Sequence, residues 1–159
     1  MTTVLFAPED RIISYALKEI LSARKRVDIV VYLISSKRAA NALVKAKKKG
    51  IAIRIITDGR VARTKYSQDD FLRSKGIEVK TIRVRSGSMH HKFIIIDKKK
   101  LLAGSANLTN DANYRNHEFI FSFQNRKIIN RFSSRFEELW NEKEKFMEGR
   151  GAGEVRRSI

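Results

Sequence analysis

HHKFIIIDKKKLLAGSAN, the stretch from His90 to Asn107, decides how the rest of the chain is read. It opens with His90 and, two positions on, Lys92. The apolar run Phe93 to Ile96 follows, then Asp97, the lysines Lys98 to Lys100, the second apolar run Leu101-Leu102-Ala103, and Gly104-Ser105 with Asn107. Side chains two apart on a strand share a face, so His90 and Lys92 point the same way. A run with no polar alternation suits a strand buried on both faces. With the chain turning at Lys98-Lys99, a tight hairpin sets Ser105 opposite Lys92 and Asn107 opposite His90. The turn contains no Gly or Asn, so a longer loop with a one-residue slip is the alternative register. Either way one hairpin end gathers an imidazole, an ammonium, a hydroxyl and a carboxamide. A histidine there serves as nucleophile or general acid and base, and the other groups donate to phosphoryl oxygens.

Charge points the same way. The 159 residues carry 34 Lys+Arg against 17 Asp+Glu, a net charge of +17 and a pI near 10.5. A domain this basic expects polyanionic partners, nucleic acid first and an anionic membrane surface second. A lysine-rich solubilising surface explains the abundance of charge better than its one-sidedness. Hydrophobic residues make up 42%, which excludes wholesale disorder. With no cysteine, neither a disulfide framework nor a thiolate metal site is available. The histidines His90, His91 and His117 form no zinc-type pair, and acidic residues near the motif are few, against a two-metal nuclease. No metal or cofactor is expected. No apolar run approaches the roughly 20 residues of a membrane span, so membrane insertion is not expected.

Around the motif the pattern is that of an α/β domain. Val4 to Phe6 reads as a strand, and Pro8 to about Ala23 as an amphipathic helix with Glu9 and Asp10 in its first turn. Val27 to Tyr32 reads as a strand and Ser35 or Ser36 as the cap of a helix reaching Lys49. That helix buries Ala40, Leu43 and Val44 and is stopped by Gly50. Ala52 to Thr57 is the next strand, and this β-α-β order implies parallel neighbours. Asp58-Gly59 leads into a basic loop, where Arg60, Arg63 and Lys65 are expected at the rim of the ligand site, a solvated loop being the alternative. A short helix from Ser67 to Lys75 and a strand from Glu78 to Val84 bring Arg83 and Arg85 to the entrance of the motif. Past the hairpin come an irregular segment or helical turn at Thr109 to Asn116, a strand at Glu118 to Ser122 and a long helix from Asn125 to about Met147. That helix presents Ile128, Ile129, Phe132, Phe136, Leu139 and Trp140 to the core. The expected fold is α/β: a mixed, mostly parallel sheet flanked by helices on both faces, as one domain over 1–148 with a flexible basic tail over 149–159.

The pattern H-x-K-x(4)-D-x(6)-G-S-x-N, met by His90, Lys92, Asp97, Gly104, Ser105 and Asn107, resembles the HKD signature of the phospholipase D superfamily. The size and order of the chain look like the small bacterial nucleases of that family. Glu118, eleven residues after Asn107, stands where the family carries a glutamate that hydrogen-bonds the catalytic imidazole. Larger members hold two such motifs around one active site, whereas this chain has one and no internal repeat. The resemblance therefore implies a symmetric homodimer with His90, Lys92, Asn107 and Glu118 of two copies facing each other. In the chemistry it implies, one His90 attacks phosphorus while the second protonates the leaving alkoxide. Lys92 and Asn107 hold the phosphoryl oxygens, Ser105 supports them, and Glu118 fixes the tautomer of a histidine. Asp97, about 23 Å of extended strand beyond His90, is read as structural, ordering the turn. His91 alternates to the face opposite His90 and is read as packed or at the rim, and His117, facing away from Glu118, is read as structural though near the site.

The expected activity is metal-independent hydrolysis of nucleic-acid phosphodiesters with low sequence specificity, DNA favoured over RNA. No module that reads base sequence is apparent. The alternatives are a phospholipid or cardiolipin hydrolase and a nucleic-acid-binding module without catalysis. The start lacks a basic and then apolar leader, so a cytoplasmic location is expected, an exported mature form being the alternative.

Overall fold

The apolar runs read from the sequence become the two central strands of a seven-stranded sheet, ordered β1-β7-β6-β5-β2-β3-β4 in the computed structural model, which describes residues 1–142. The strands are β1 (Thr3–Ala7), β2 (Arg26–Val30), β3 (Ala52–Asp58), β4 (Glu78–Ile82), β5 (Phe93–Ile96), β6 (Lys100–Gly104) and β7 (Glu118–Phe123). The helices are α1 (Ile12–Leu21), α2 (Lys37–Lys48), α3 (Asp69–Ser74), α4 (Asn110–Tyr114) and α5 (Arg126–Asn141).

Strand alternation divides the core in two. Val27, Ile29, Ile53, Ile55, Ile94, Ile96 and Leu102 pack beneath α1 to α4, while Val30, Ile56, Phe93, Ile95 and Leu101 pack beneath α5. α5 buries Ile129, Phe136 and Leu139 against that second face. Arg54, on the same face, bonds Asp28 at 2.9 Å and Glu137 at 2.6 Å and lies over the Phe136 ring at 4.6 Å. Burial opposes its charge, but the hydrogen bonds to Glu137 and Asp28 outweigh that and hold the guanidinium protonated, pinning α5 to the sheet.

The mixed sheet with helices on both faces agrees with expectation, but its balance does not. Five strands run in one direction, yet only β2–β3 and β3–β4 pair in parallel; β1–β7, β7–β6, β6–β5 and β5–β2 are antiparallel. The cause is the hairpin. A short turn can only join antiparallel strands, and β5 inserts itself beside β2, where a parallel strand was expected.

α1 also begins later than its periodicity suggested. Asp10 is held in the preceding turn, its carboxylate accepting from the Phe6 amide at 2.8 Å, and Arg11 takes a left-handed conformation at the N-cap. Glu9 and Asp10 therefore precede the helix rather than fill its first turn. Ser36 caps α2 through the Ala39 amide, and Gly50 follows it at φ 91°, a conformation that suits glycine. The final turns assigned to the last helix beyond Glu142, and the basic tail over 149–159, lie outside the described residues.

Candidate active site

The motif hairpin turns through three residues, Asp97-Lys98-Lys99, with Asp97 and Lys98 both at positive φ (52° and 54°). The register pairs Phe93 with Ala103 and Ile96 with Lys100, so Lys92 stands opposite Gly104 rather than Ser105. The Gly104 amide donates to the Lys92 carbonyl at 3.3 Å. The expected pairing of Lys92 with Ser105 is thus one residue out of step, because two left-handed residues lengthen the turn. Asp97 stays far from His90. Its carboxylate accepts from the backbone amides of Arg24, Lys25 and Arg26 at 2.8–2.9 Å, tying the hairpin tip to the entry of β2.

At the other end of the hairpin lie the carboxyl ends of β2, β3, β4 and β6, where loops gather around a crevice between the parallel and antiparallel halves of the sheet. His90 is exposed there, placed by Met89. The Met89 side chain is buried and its amide donates to Asp58 at 2.8 Å. Asp58 also accepts from the Arg60 amide at 2.9 Å, so a single buried carboxylate organises both the β3 loop and the approach to His90.

Lys92 sets its Nζ 2.8 Å from Nδ1 and 3.1 Å from Nε2 of His90, and donates to the His90 carbonyl at 2.9 Å. Partial burial pushes the Lys92 ammonium below its ordinary pKa, opposed by the field of Glu118. The Tyr32 ring packs 5.0 Å from the His90 ring and lies 5.9 Å below the Lys92 ammonium. Asn107 reaches the same place from β6. Its Oδ1 accepts from the amides of Tyr32 and Leu33 at 3.1 and 3.3 Å, which fixes the carboxamide and leaves the Nδ2 donors out of those bonds.

Glu118 accepts from Ser105 Oγ and, at 3.4 Å, from Asn116 Nδ2. Its hydrogen-bond partners within the described chain are therefore the motif serine and Asn116, not the imidazole. Ser105 Oγ in turn accepts from the Phe119 amide at 3.1 Å, stitching β6 to β7 beside the site. Gly104 sits where a Cβ would lie 2.1 Å from the Phe119 carbonyl oxygen, so only glycine lets these strands approach.

Of the basic residues expected near the substrate, Lys65 lines a groove that also includes Asn107. Arg60 is committed elsewhere, its guanidinium donating to the carbonyls of Val84 and Arg85 at 3.1 and 2.9 Å. Arg63 and Arg85 are exposed and Arg83 half-buried. His91 lies beside Arg135 on the α5 face; burial, then Arg135 and Lys92, push its pKa down. Two residues were missed from sequence, Tyr32 and Asp58. Both stand at carboxyl ends of strands, which was the available signal.

Residues 16–140 match the family model described as cardiolipin synthase, PLD-like domain. The chain belongs to the phospholipase D-like family. Within that family it is 33% identical over 130 residues to the mitochondrial cardiolipin hydrolase of Mus musculus, covering 82% of this chain and 58% of that protein. It is 32% identical to a phospholipase D of Rickettsia prowazekii, covering 77% of this chain and 60% of that one. It therefore spans about three fifths of the length of these two relatives. Among solved structures, the phospholipase D family member Nuc from Salmonella typhimurium superposes with a TM-score of 0.80 at 27% identity, covering 89% of this chain and 94% of the other.

Proposed function

We propose that this chain is a metal-independent phosphodiesterase that hydrolyses nucleic-acid phosphodiester bonds, DNA favoured, through a phosphohistidine formed at a homodimer interface. The observation that carries the reading is the placement of His90, Lys92 and Asn107 at the carboxyl ends of strands β2 and β6, with an exposed imidazole, a partly desolvated ammonium and a pre-positioned amide. In the first step an imidazole nitrogen of His90 forms a bond to phosphorus as the bond to the leaving oxygen breaks. His90 of a second copy gives that oxygen its proton. In the second step water attacks phosphorus, its proton passes to the second histidine, and the phosphorus–nitrogen bond breaks. Lys92 and Asn107 meet the charge that develops on the non-bridging oxygens, which is where preorganised donors act most strongly. Glu118 holds Ser105 and lies within electrostatic reach of Lys92. The twofold assembly supplies both histidines from one gene. Among the described residues no three His, Cys, Asp or Glu side chains converge as a metal-ligand set.

A lipid phosphodiester is the second reading, favoured by the relatives named mitochondrial cardiolipin hydrolase. The net charge of +17 suits either polyanion. No described helix is long and apolar enough to cross a membrane. The deciding experiment is cleavage of plasmid and single-stranded DNA in excess EDTA, with cardiolipin vesicles in parallel, by the parent chain and His90→Ala. DNA cleavage that survives chelation and falls at least about 100-fold in the variant is expected. Loss of cleavage to EDTA overturns the mechanism, and hydrolysis of cardiolipin alone overturns the substrate.

A further inference from the structure

Beside the catalytic cluster runs a groove of about 570 Å³, within the roughly 300–1,000 Å³ of ordinary ligand sites. Asn107 belongs to both. The rest of its wall comes from the α2 entry, the loop after β3 and the two ends of α4, including Lys37, Lys65, Tyr66, Asn110 and Asn116. From these residues we infer that the groove is a subsite for an unpaired nucleotide flanking the scissile phosphate, with Tyr66 as the platform for its base and Lys37 and Lys65 as the cations for the next phosphate. The inference rests on the phosphodiesterase reading above and narrows its substrate to single-stranded nucleic acid.

Three features support it. Tyr66 is a large aromatic side chain with 63% of its surface in solvent, at the mouth of a crevice rather than in a core. Lys65 sits 5.2 Å from its ring centroid, an arrangement that pairs a π surface with a phosphate-seeking cation. Among the described residues the rest of the wall is mostly amide and hydroxyl, with Leu33 the one aliphatic residue, so it offers hydrogen-bond partners to a ribose and a base edge. The one carboxylate in the wall, Asp111, is paired with Arg115 at 3.3 Å, which reduces its repulsion of a phosphate. A base inside a duplex is stacked on its neighbours and offers no free face to Tyr66, so the platform selects unpaired strands.

The test uses a single-stranded oligonucleotide, the matching blunt duplex and bis(p-nitrophenyl) phosphate as substrates for the parent chain, Tyr66→Ala and Tyr66→Phe. Tyr66→Ala is expected to lower kcat/KM on the single strand about 10-fold relative to the small diester, chiefly through KM, with Tyr66→Phe restoring it. The duplex is expected to lose much less. In the His90→Ala background, fluorescence anisotropy with the same oligonucleotide is expected to show the slope of log affinity against log salt falling by about 0.7 for each of Lys37→Ala and Lys65→Ala. Equal losses on strand, duplex and small diester overturn the inference, as does an unchanged KM in a Tyr66→Ala protein that melts like the parent. A parent chain that cleaves none of the three substrates overturns the function itself rather than the subsite.

Discussion

Replacing Asp97 separates structure from chemistry at the one signature residue that stands apart from the site. Its carboxylate accepts three backbone amides at 2.8–2.9 Å. Arg24 and Lys25 are exposed, so water replaces part of what is lost and each bond contributes at the low end, about 2 kcal/mol for the three. Asp97 also sits at φ 52°, a conformation Asp and Asn tolerate and alanine resists by about 1 kcal/mol. Asp97→Ala is therefore expected to cost about 3 kcal/mol. Asp97→Asn, which keeps one acceptor oxygen and the backbone preference, is expected to cost about 1 kcal/mol. At a urea slope of about 2 kcal/mol/M the alanine midpoint falls by about 1.5 M. The pH dependence adds a second reading. Burial works against the charge, but the amides of Arg26, Arg24 and Lys25, with Lys99, outweigh it and hold the carboxyl below its ordinary 3.8. A depressed folded pKa gives stability that is present above 3.8 and lost as pH falls through the folded value, so the parent has an acid-side loss that Asp97→Asn lacks. Equilibrium unfolding at pH 7 and across pH 2–5 checks both. An alanine variant within about 0.5 kcal/mol of the parent refutes the anchoring argument. A folded variant with more than tenfold weaker catalysis places Asp97 in the chemistry after all.

Two further perturbations probe the frame of the site. Gly104→Ala places a Cβ 2.1 Å from the Phe119 carbonyl and 2.9 Å from Ile120 Cα, both backbone atoms, so β6 and β7 must part. About 3 kcal/mol, or about 10 °C in Tm, is the expected loss, and a shift under about 2 °C would show that the strands yield easily. Asp69, fully buried with Thr57 Oγ1 at 2.5 Å, has its carboxyl raised above 3.8 by burial, partly offset by Thr57 and Ser67. Its folded form holds the proton to higher pH than the unfolded chain, so its contribution to stability falls as pH rises above 3.8. Asp69→Asn should gain on the parent between pH 4 and 7 in urea midpoints, and a constant difference across that range would contradict it.

What the sequence made legible follows from the range of the interactions involved. Helices such as α2 announce themselves locally, through Ser36 at one end and Gly50 at the other, and their limits were read almost to the residue. The buried strands β2, β3 and β5 were plain from their apolar runs. Pairing was not, because a run such as Phe93 to Ile96 looks the same beside a parallel or an antiparallel neighbour; β5 was placed by its hairpin turn, not by its composition. The register slip has the same origin, since positive φ at Lys98 leaves no mark in a residue type that usually avoids it. His90, Lys92, Ser105 and Asn107 lie within one hairpin, so their proximity could be read from spacing. Tyr32 and Asp58 come from strands remote in sequence and reach His90 only through the order of the sheet.

The same division of labour bears on substrate. A histidine, a lysine and an asparagine around one phosphorus recognise a phosphodiester and nothing beyond its ester oxygens, so the hairpin by itself does not choose among substrates that share that group. Discrimination has to come from side chains that touch what flanks the phosphate, and those sit on the loops after β3 and β6, where no motif constrains them. In this chain they include Lys65 and Tyr66 after β3 and Asn110 and Asn116 at the two ends of α4, with Leu33 the one aliphatic residue of the wall among the described residues. An acyl chain gains affinity only from apolar burial, at about 25 cal/mol per Å², whereas a base and a phosphate can use the ring and the two ammonium groups that this wall offers. The proposed preference for a nucleic-acid strand over a lipid rests on this wall rather than on the hairpin.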